Sequence, residues 1–383
     1  MTFPQLYDIY HRHPVVTTDT RNCPDGSLFF ALRGEKFDGN AFALDALAKG
    51  CAYAVVDDAE VAAKDKRCLF VDDVLSTLQE LAAHHRRVLD TPVLQITGTN
   101  GKTTTKELVA AVLGEKFNVL YTEGNLNNHI GVPLTLLRLT SEHQLALIEM
   151  GASKPGDIAE LCDIALPNYG LITNIGRAHL EGFGSLEGVR HTKGELYDSL
   201  RARQGIVFFR AEDKVLEEMS EGIDRIDYGT DPEARIVGQT TPSQGDQLFL
   251  HLSWSCPTLG ISSRTIQTKL VGDYNLANAL AAITIGLYFD VAPEQIDQAL
   301  ADYTPSNSRS QLITSTRGNQ IIADAYNANP SSMHTALDNF LHITPVDRPR
   351  TVILGDMNEL GASSHDAHHE LYTRLTAHSS SPL

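Results

Sequence analysis

Three things are scarce in this sequence of 383 residues: cysteine, positive charge and long apolar runs. The five cysteines form no C-x-x-C pair or other metal-ligand spacing, so we expect reduced thiols and neither a disulfide scaffold nor a zinc module. Lys and Arg number 31 against 48 Asp and Glu, and the formal net charge of −17 argues against nonspecific nucleic-acid binding. No apolar run reaches 18 residues, and the N-terminus lacks the features of a secretion signal. These absences predict a cytoplasmic protein that is not inserted in a membrane.

The segments that are present predict an α/β protein of three domains, at 1–90, 91–308 and 309–383. In the first domain, short apolar stretches alternate with helix-like segments. The second shows the strand–helix rhythm of a parallel sheet. Its predicted strands are 93–97, 144–150, 170–175 and 205–209, and its predicted helices are 103–115, 156–165 and 187–200. A β-rich patch (234–270) and an apolar helix (275–289) follow. After a turn-rich linker near 303–310, the third domain is predicted to contain a strand at 320–326, a helix at 331–342 and a strand at 350–356.

The segment 97-TGTNGKTTTKE-107 joins the apolar run 93–96 to a predicted helix and is typical of a phosphate-binding loop (P-loop). Glycines after a strand let backbone N–H groups converge on an anion, and the helix start adds its dipole. Lys102 is placed to reach the β- and γ-phosphates, and the Thr103 hydroxyl to bind Mg²⁺. The spacing is two residues shorter than G-x-x-x-x-G-K-[ST], because Ile96 stands where the first glycine would be. The predicted nucleotide-binding residues here are Gly98, Thr99, Asn100, Gly101, Lys102, Thr103 and Thr104.

Other candidate residues are weak when each is taken alone. Glu149 ends an apolar strand, where ligands of open α/β sheets bind, so it is a candidate Mg²⁺ ligand or else a surface acid. His179 follows the next predicted strand, although most histidines there are ordinary loop residues. Lys193 lies in a helix, where a solvated lysine is the simpler interpretation. Asn275 and Asn278 share one face of a helix start, where asparagine usually serves as a cap.

The motifs are much more specific in combination. In the order GTNGKTTTKE, GNLNNHIGVPLTLL, IEMGASKPGDI, TNIGRAHLEGFGS, KGE, GDYNLANALAA, DAYNANPSSM and LGDMNELG, the chain resembles the Mur ligase family from about residue 15 to about 361. The short G-x-x-G-K-T spacing of the loop also resembles the loop of this family. The resemblance implies a three-domain α/β architecture with a central P-loop parallel-sheet domain and a Rossmann-like C-terminal domain. That last domain is expected to be shortened, because the similarity ends soon after GDMNELG.

The resemblance also implies roles for individual residues. Lys102 would bind the γ-phosphate, and Mg²⁺ would be held by Thr103, Glu149 and His179. Asn275 and Asn278 would lie against adenine, Asp324 against ribose, and Arg309 would reach phosphate. Lys193 matches the lysine that family members carbamylate, so the expected catalytic residues are Lys102, Lys193 and His179. Thr18, Asp19 and Arg21 match the family's UDP-recognition segment. The asparagine-rich loop on the substrate side is matched by Asn125, Asn127 and Asn128.

The activity that the resemblance implies is ATP-dependent amide ligation through an acyl phosphate. DAYNANP and GDMNELG indicate the member that joins D-alanyl-D-alanine to UDP-N-acetylmuramoyl-tripeptide in peptidoglycan synthesis, with ATP and Mg²⁺, and we expect a monomer. The third residue of the tripeptide is left open. One departure is Tyr274, where many members have histidine. Two alternatives also stay open: a nucleotide-binding protein unable to ligate, and another ligase of the superfamily, such as a folylpolyglutamate synthetase.

Overall fold

The structure is a computed structural model that describes residues 2–177, 180–242, 248–306, 308–343 and 349–377. Its strands are β1 (Val16–Thr17), β2 (Leu28–Phe30), β3 (Arg33–Gly34), β4 (Phe37–Asp38), β5 (Tyr53–Val56), β6 (Cys68–Phe70), β7 (Val93–Thr97), β8 (Val119–Tyr121), β9 (Leu145–Glu149), β10 (Tyr169–Ile172), β11 (Ile206–Arg210), β12 (Asp224–Gly229), β13 (Ile236–Thr240), β14 (Phe249–Cys256), β15 (Ile261–Val271), β16 (Gln311–Thr314) and β17 (Gln320–Ala323).

Its α-helices are α1 (Phe3–Arg12), α2 (Ala43–Ala48), α3 (Ala59–Ala62), α4 (Val74–Leu89), α5 (Lys102–Gly114), α6 (Gly131–Leu136), α7 (Asp157–Ala165), α8 (Leu180–Phe183), α9 (Leu186–Arg203), α10 (Lys214–Met219), α11 (Leu276–Tyr288), α12 (Pro293–Asp302), α13 (Pro330–Ile343) and α14 (Ser364–Ala377). No helix of the described ranges is long and apolar enough to cross a bilayer. All five cysteines are free thiols.

The chain forms two compact units, the first made of Met1–Val93, Asn118–Met150 and Glu160–Pro167. Its parallel four-stranded sheet has the order β1-β2-β5-β6. Small and apolar side chains fill the space between this sheet and α2 and form a tight core. These side chains include Phe29, Ala43, Leu47, Ala54 and Val56. The same unit contains the parallel pair of β8 and β9. The predicted alternation of short apolar stretches and helix-like segments is confirmed by β2, α2, β5, β6 and α4.

The second unit consists of Leu94–Phe117, Gly151–Ala159 and Asn168–Leu383. Here β7, β10, β11, β12 and β13 pair in that order as parallel strands, and β14 and β15 continue the sheet as antiparallel strands. The apolar helix α11 is buried along almost its whole length, as expected of a helix that is apolar on all sides. The predicted parallel sheet and its β-rich extension are therefore confirmed.

The C-terminal part of this unit has a small core of its own. Strands β16 and β17 form an antiparallel pair, and α13 packs with α14 around Leu337, Met357, Leu360 and Leu371. The predicted strand at 350–356 is wrong: none of these residues is in a strand, and Ile353 is 93% exposed. An apolar run becomes a strand only when a neighbouring strand takes up its main-chain hydrogen bonds, and no described strand pairs with this segment. The two domain boundaries, after residues 90 and 308, stay predictions.

Candidate active site

The predicted phosphate-binding loop lies between β7 and α5 in the second unit. Gly98 has φ of +141° and Gly101 has φ of +80°, both in the range that favours glycine. A Cβ at Gly98 would stand 2.0 Å from Thr173 Oγ1, and one at Gly101 would stand 2.8 Å from Asn278 Oδ1. Both glycines are therefore required by backbone conformation and by close neighbours, which explains a G-x-x-G spacing at this turn.

Six hydrogen bonds fasten the loop to residues 173–176, which follow β10. Asn174 accepts from the Asn100 N–H through Oδ1 and donates to the Asn100 carbonyl through Nδ2, each at 3.0 Å. The Thr173 hydroxyl donates to the same carbonyl at 2.6 Å, and the Thr99 N–H donates to the Asn174 carbonyl. The Thr99 hydroxyl accepts from the Gly176 N–H and donates to the Gly176 carbonyl. Because β7 and β10 are adjacent parallel strands, their carboxyl ends meet here and hold the loop in one conformation.

The start of α5 presents hydrogen-bond donors and a cation together. Gly101 is the N-cap residue, and no side chain caps the helix, so its first turn has N–H groups without intrahelical partners. The Lys102 ammonium donates to the carbonyls of Gly98 (2.8 Å) and Thr99 (3.0 Å) and so lies against the loop. Thr103 is buried and Thr104 is half-buried in the same turn. This arrangement of dipole, N–H groups and ammonium is suited to phosphate oxygens.

Lys193 on α9 is not the solvated lysine that its helix would ordinarily present. It is only 3% exposed. Burial, and next the charge of Lys102, lower the pKa of Lys193 to about 7, although Asp157 and Glu195 oppose the shift. The amine therefore exists in substantial part as a neutral nucleophile near neutral pH. That is the state an amine needs to react with carbon dioxide.

Glu149, at the end of β9 in the first unit, is a buried carboxylate with one oxygen engaged and one free. Its Oε1 accepts from Asn127 Nδ2 at 2.9 Å, and its N–H donates to the Thr122 hydroxyl. Its Oε2 is buried without a hydrogen-bond donor among the described residues. A buried anionic oxygen with no donor fits a metal ligand, because Mg²⁺ would provide the missing positive charge. The described residues contain no preformed cluster of three His, Cys, Asp or Glu. Mg²⁺ does not require one, because it ordinarily keeps water and phosphate oxygens among its ligands.

The paired asparagines lie directly beside the loop. Asn278 Oδ1 accepts from the Thr105 hydroxyl of α5 at 3.1 Å, and Asn278 Nδ2 donates to Asn275 Oδ1. Asn275 is buried and donates to the Val271 carbonyl. The pair therefore anchors the start of α11 to α5, a structural role that the sequence did not reveal. Their predicted contact with adenine stays a prediction.

A second cation lies after the linker. The guanidinium carbon of Arg309 lies 3.8 Å from the centroid of the Tyr326 ring, close enough for a cation–π contact. The neighbouring Ser310 accepts from the Tyr274 hydroxyl and donates to Asp324 Oδ2 at 3.4 Å. Burial raises the pKa of Tyr274 to about 12, so this tyrosine stays a hydrogen-bond donor. Tyr274, where many members of the family that the chain resembles have histidine, thus makes a direct hydroxyl contact with Ser310.

The remaining candidates lie in the first unit or outside the described residues. Arg21 is exposed and Asp19 is half-buried, and the two form an ion pair at 2.6 Å. The hydrogen bonds from Arg21 lower the pKa of Asp19 to about 2. Thr18 is half-buried beside them. Asn125 is exposed, whereas Asn128 Oδ1 accepts from the N–H groups of Ile130 and Gly131 at the start of α6. His179 lies outside the described residues.

Two contacts of the loop were missed at the sequence level. Thr173 and Asn174 stand in the motif TNIGRAHLEG but carry no charge to single them out. Asn329 stands in DAYNANP, and its Nδ2 donates to Asn100 Oδ1 at 2.8 Å across 229 residues of sequence. Neutral side chains that hold other residues give no local pattern, and only the pairing of distant segments reveals them.

The chain matches models of a known protein family along most of its length. Three family models match successive parts of it: "Mur ligase family, catalytic domain" at 14–86, "Mur ligase middle domain" at 96–286, and "Mur ligase, glutamate ligase domain" at 308–381. The chain belongs to the Mur ligase family. Its architecture is the three-domain α/β arrangement of that family, with a central parallel-sheet domain, as the sequence predicted.

Individual relatives and solved structures show which members of the family the chain is similar to. The UDP-N-acetylmuramoyl-tripeptide–D-alanyl-D-alanine ligase of Bacillus subtilis (strain 168) is 36% identical over 93% of this chain and 76% of its own length. The ligase of that name from Escherichia coli (strain K12) is 36% identical over 96% and 82%. MurF from Acinetobacter baumannii superposes with a TM-score of 0.83 at 32% identity, covering 94% of this chain and 78% of that one. MurF from Thermotoga maritima in complex with ADP gives 0.82 at 27% identity, covering 94% and 82%.

Proposed function

We propose that this chain catalyses the ATP-dependent ligation of D-alanyl-D-alanine to UDP-N-acetylmuramoyl-tripeptide, a step of peptidoglycan precursor synthesis. The relatives of that name, at 36% identity over more than nine-tenths of the chain, support the substrates. ADP in the Thermotoga maritima MurF supports the nucleotide. We place the reaction in the cytoplasm, where ATP is available and free thiols stay reduced.

The observation that carries the proposal is the fastened loop with its ammonium and its open helix start. In the reaction, the tripeptide carboxylate attacks the γ-phosphorus of ATP, and ADP leaves. The amine of the dipeptide then attacks the acyl phosphate carbon, an amide forms, and phosphate is released. Lys102 and the first N–H groups of α5 neutralise charge on the transferring phosphoryl oxygens. Arg309 is the second cation available to phosphate.

Mg²⁺ would be held by the free oxygen of Glu149 and by the Thr103 hydroxyl, with His179 as a further expected ligand. When bound, the ion supplies positive charge that offsets the phosphate oxygens. Lys193 provides an anionic arm once its amine has reacted with carbon dioxide, which requires the neutral form that burial favours. The carbamate carries a negative charge where a protonated lysine would repel the metal.

The test is phosphate release with ATP, the UDP-linked tripeptide and one acceptor at a time. We expect turnover with D-alanyl-D-alanine and not with single amino acids. Lys102→Ala should lower kcat by at least about 10²-fold, the usual loss for one charge-stabilising donor. The matched control is Lys214→Ala, because Lys214 is exposed and paired with Glu217.

Each alternative has its own result in this assay. Turnover with single amino acids would indicate another ligase of the superfamily. Nucleotide binding without turnover on any acceptor would indicate a protein unable to ligate. The DAYNANP and GDMNELG segments and the names of the relatives weigh against both. Full activity of Lys102→Ala would overturn the assignment of the loop.

A further inference from the structure

The contact between Asn329 and Asn100 joins the C-terminal segment to the phosphate loop. Asn100 is held on the loop side, because its N–H and its carbonyl are both bonded to Asn174. Its side-chain oxygen is directed to Asn329 Nδ2 at 2.8 Å. The loop therefore offers this acceptor from a fixed position.

Asn329 is held just as firmly on the other side. It precedes α13, and its Oδ1 accepts from the Ser332 N–H at 2.9 Å, which makes it the helix cap. Its own N–H donates to the Ser332 hydroxyl, which in turn donates to its carbonyl. Because Oδ1 must face the helix, Nδ2 must face the loop, so the orientation of the amide is determined by its partners. Asn329 is 9% exposed.

Close packing at Gly176 also holds the C-terminal segment against the loop. A Cβ on Gly176 would stand 3.3 Å from Ser331 Oγ and 3.4 Å from a Thr99 side-chain carbon. The first turn of α13 thus packs onto the turn that fastens the loop. The two segments meet through one directional hydrogen bond and close packing, without any ion pair between these residues.

We propose that Asn329 is a positioning residue that holds the C-terminal segment on the phosphate loop while the acyl phosphate exists. This inference rests on the proposed ligase activity. Without the contact, the segment opens more often and water reaches the acyl carbon. Water then replaces the dipeptide amine, the carbon–oxygen bond to phosphate breaks, and the carboxylate is regenerated. Phosphate is released with no ligated product.

The test uses two variants that break the contact from opposite sides. Asn329→Ser keeps a cap oxygen but loses the donor to the loop, and Asn100→Ala removes only the acceptor. Asn327→Ser is the matched control, because Asn327 lies in the same motif, is exposed, and accepts only from the neighbouring Ala328 N–H among its described bonds. We measure phosphate released per ligated product, the dissociation constant of ATP, and amide hydrogen exchange of α13.

The expected result is a ratio of phosphate to product that rises about fivefold in Asn329→Ser, the factor that one neutral hydrogen bond provides. The double variant should be no worse than the single variants, because both remove the same interaction. Amides of α13 should exchange about fivefold faster in Asn100→Ala, although this substitution is remote from α13 in sequence. Asn327→Ser should resemble the unmodified chain in all three measurements.

Three results would overturn the inference. They are unchanged exchange of α13 in Asn100→Ala, additive losses in the double variant, and, when the unmodified chain ligates, an unchanged ratio of phosphate to product in Asn329→Ser. If the unmodified chain does not ligate any acceptor, the proposed function fails, and hydrogen exchange still decides whether the contact holds the segment.

Discussion

At the scale of single residues, the free oxygen of Glu149 distinguishes this carboxylate from a surface acid. Glu149→Gln keeps an acceptor for Asn127 and removes the charge. We expect the Mg²⁺ concentration for half-maximal activity to rise at least about tenfold, the lower limit for the loss of even an outer-shell partner. The measurement is a Mg²⁺ titration of phosphate release.

The thermal stability of Glu149→Gln gives a second test of the same assignment. A buried carboxylate oxygen without a donor destabilises the metal-free fold, so Glu149→Gln should raise Tm without Mg²⁺ and abolish any rise that Mg²⁺ causes. The control is Glu142→Gln, because Glu142 is exposed and lies just before the same strand. It should change neither Tm nor the rise in Tm that Mg²⁺ causes. A normal Mg²⁺ response in Glu149→Gln would exclude Glu149 as a ligand.

Lys193 predicts a pH dependence whose sign follows from its lowered pKa. Its amine is mostly protonated at about pH 6 and mostly neutral at about pH 8, so carbamate should form as pH rises through about 7. The measurement is the carbamate signal in ¹³C NMR with labelled bicarbonate, and the control is Lys193→Ala. A signal that appears only near pH 10, or that persists in Lys193→Ala, would contradict the assignment.

The same pKa affects stability in one direction. As pH falls from 10.5 to about 7, the unfolded chain binds this proton and the folded chain does not, so the free energy of unfolding decreases across that window. Below about pH 7 both states are protonated and the contribution of Lys193 is constant.

At the scale of the element, the conformation of the loop predicts that only glycine is tolerated at position 98. In Gly98→Ala the methyl group would meet the Thr173 hydroxyl, and the backbone would keep a φ that alanine disfavours. We expect a loss of about 1–3 kcal/mol in the free energy of unfolding and loss of nucleotide binding. Chemical denaturation and a binding titration measure the two effects.

Gly114→Ala is the control for that substitution, because Gly114 ends α5 and a Cβ there meets nothing within 4 Å. It should leave nucleotide binding unchanged. Gly98→Ala combined with Thr173→Ala should recover part of the stability, since the nearest contact, with the hydroxyl, is removed, whereas the contacts with the nitrogen and Cβ of residue 173 and the backbone strain remain. Wild-type stability in Gly98→Ala alone would contradict the conformation of the loop.

Prediction from sequence succeeded where each residue's neighbours in the chain determine the structure. Alternating apolar and helical segments predicted β7, α5, β9 and α11 to within a residue or so at most ends. It failed at 350–356, where apolar character was present and a partner strand was not. The burial of Lys193 and the bond from Asn329 to Asn100 were also missed, because both depend on segments far apart in sequence.

At the scale of the whole molecule, a net charge of −17 means that an anionic nucleotide binds only where positive groups are concentrated. ATP with Mg²⁺ at about 100 times its dissociation constant should raise the free energy of unfolding by about 2.7 kcal/mol. Thermal unfolding with and without nucleotide measures the shift. Lys102→Ala should lose most of it, whereas a full shift in that variant would place the nucleotide elsewhere.

The six hydrogen bonds between the loop and residues 173–176 also bear on the entropy of nucleotide capture. Ordering the backbone of one residue costs roughly 1–2 kcal/mol, and four residues from Gly98 to Gly101 are already ordered by the fold. That cost is met once, when the chain folds, and does not recur at each encounter with ATP. The predicted phosphate-binding loop is therefore ordered by its own fold before any nucleotide arrives.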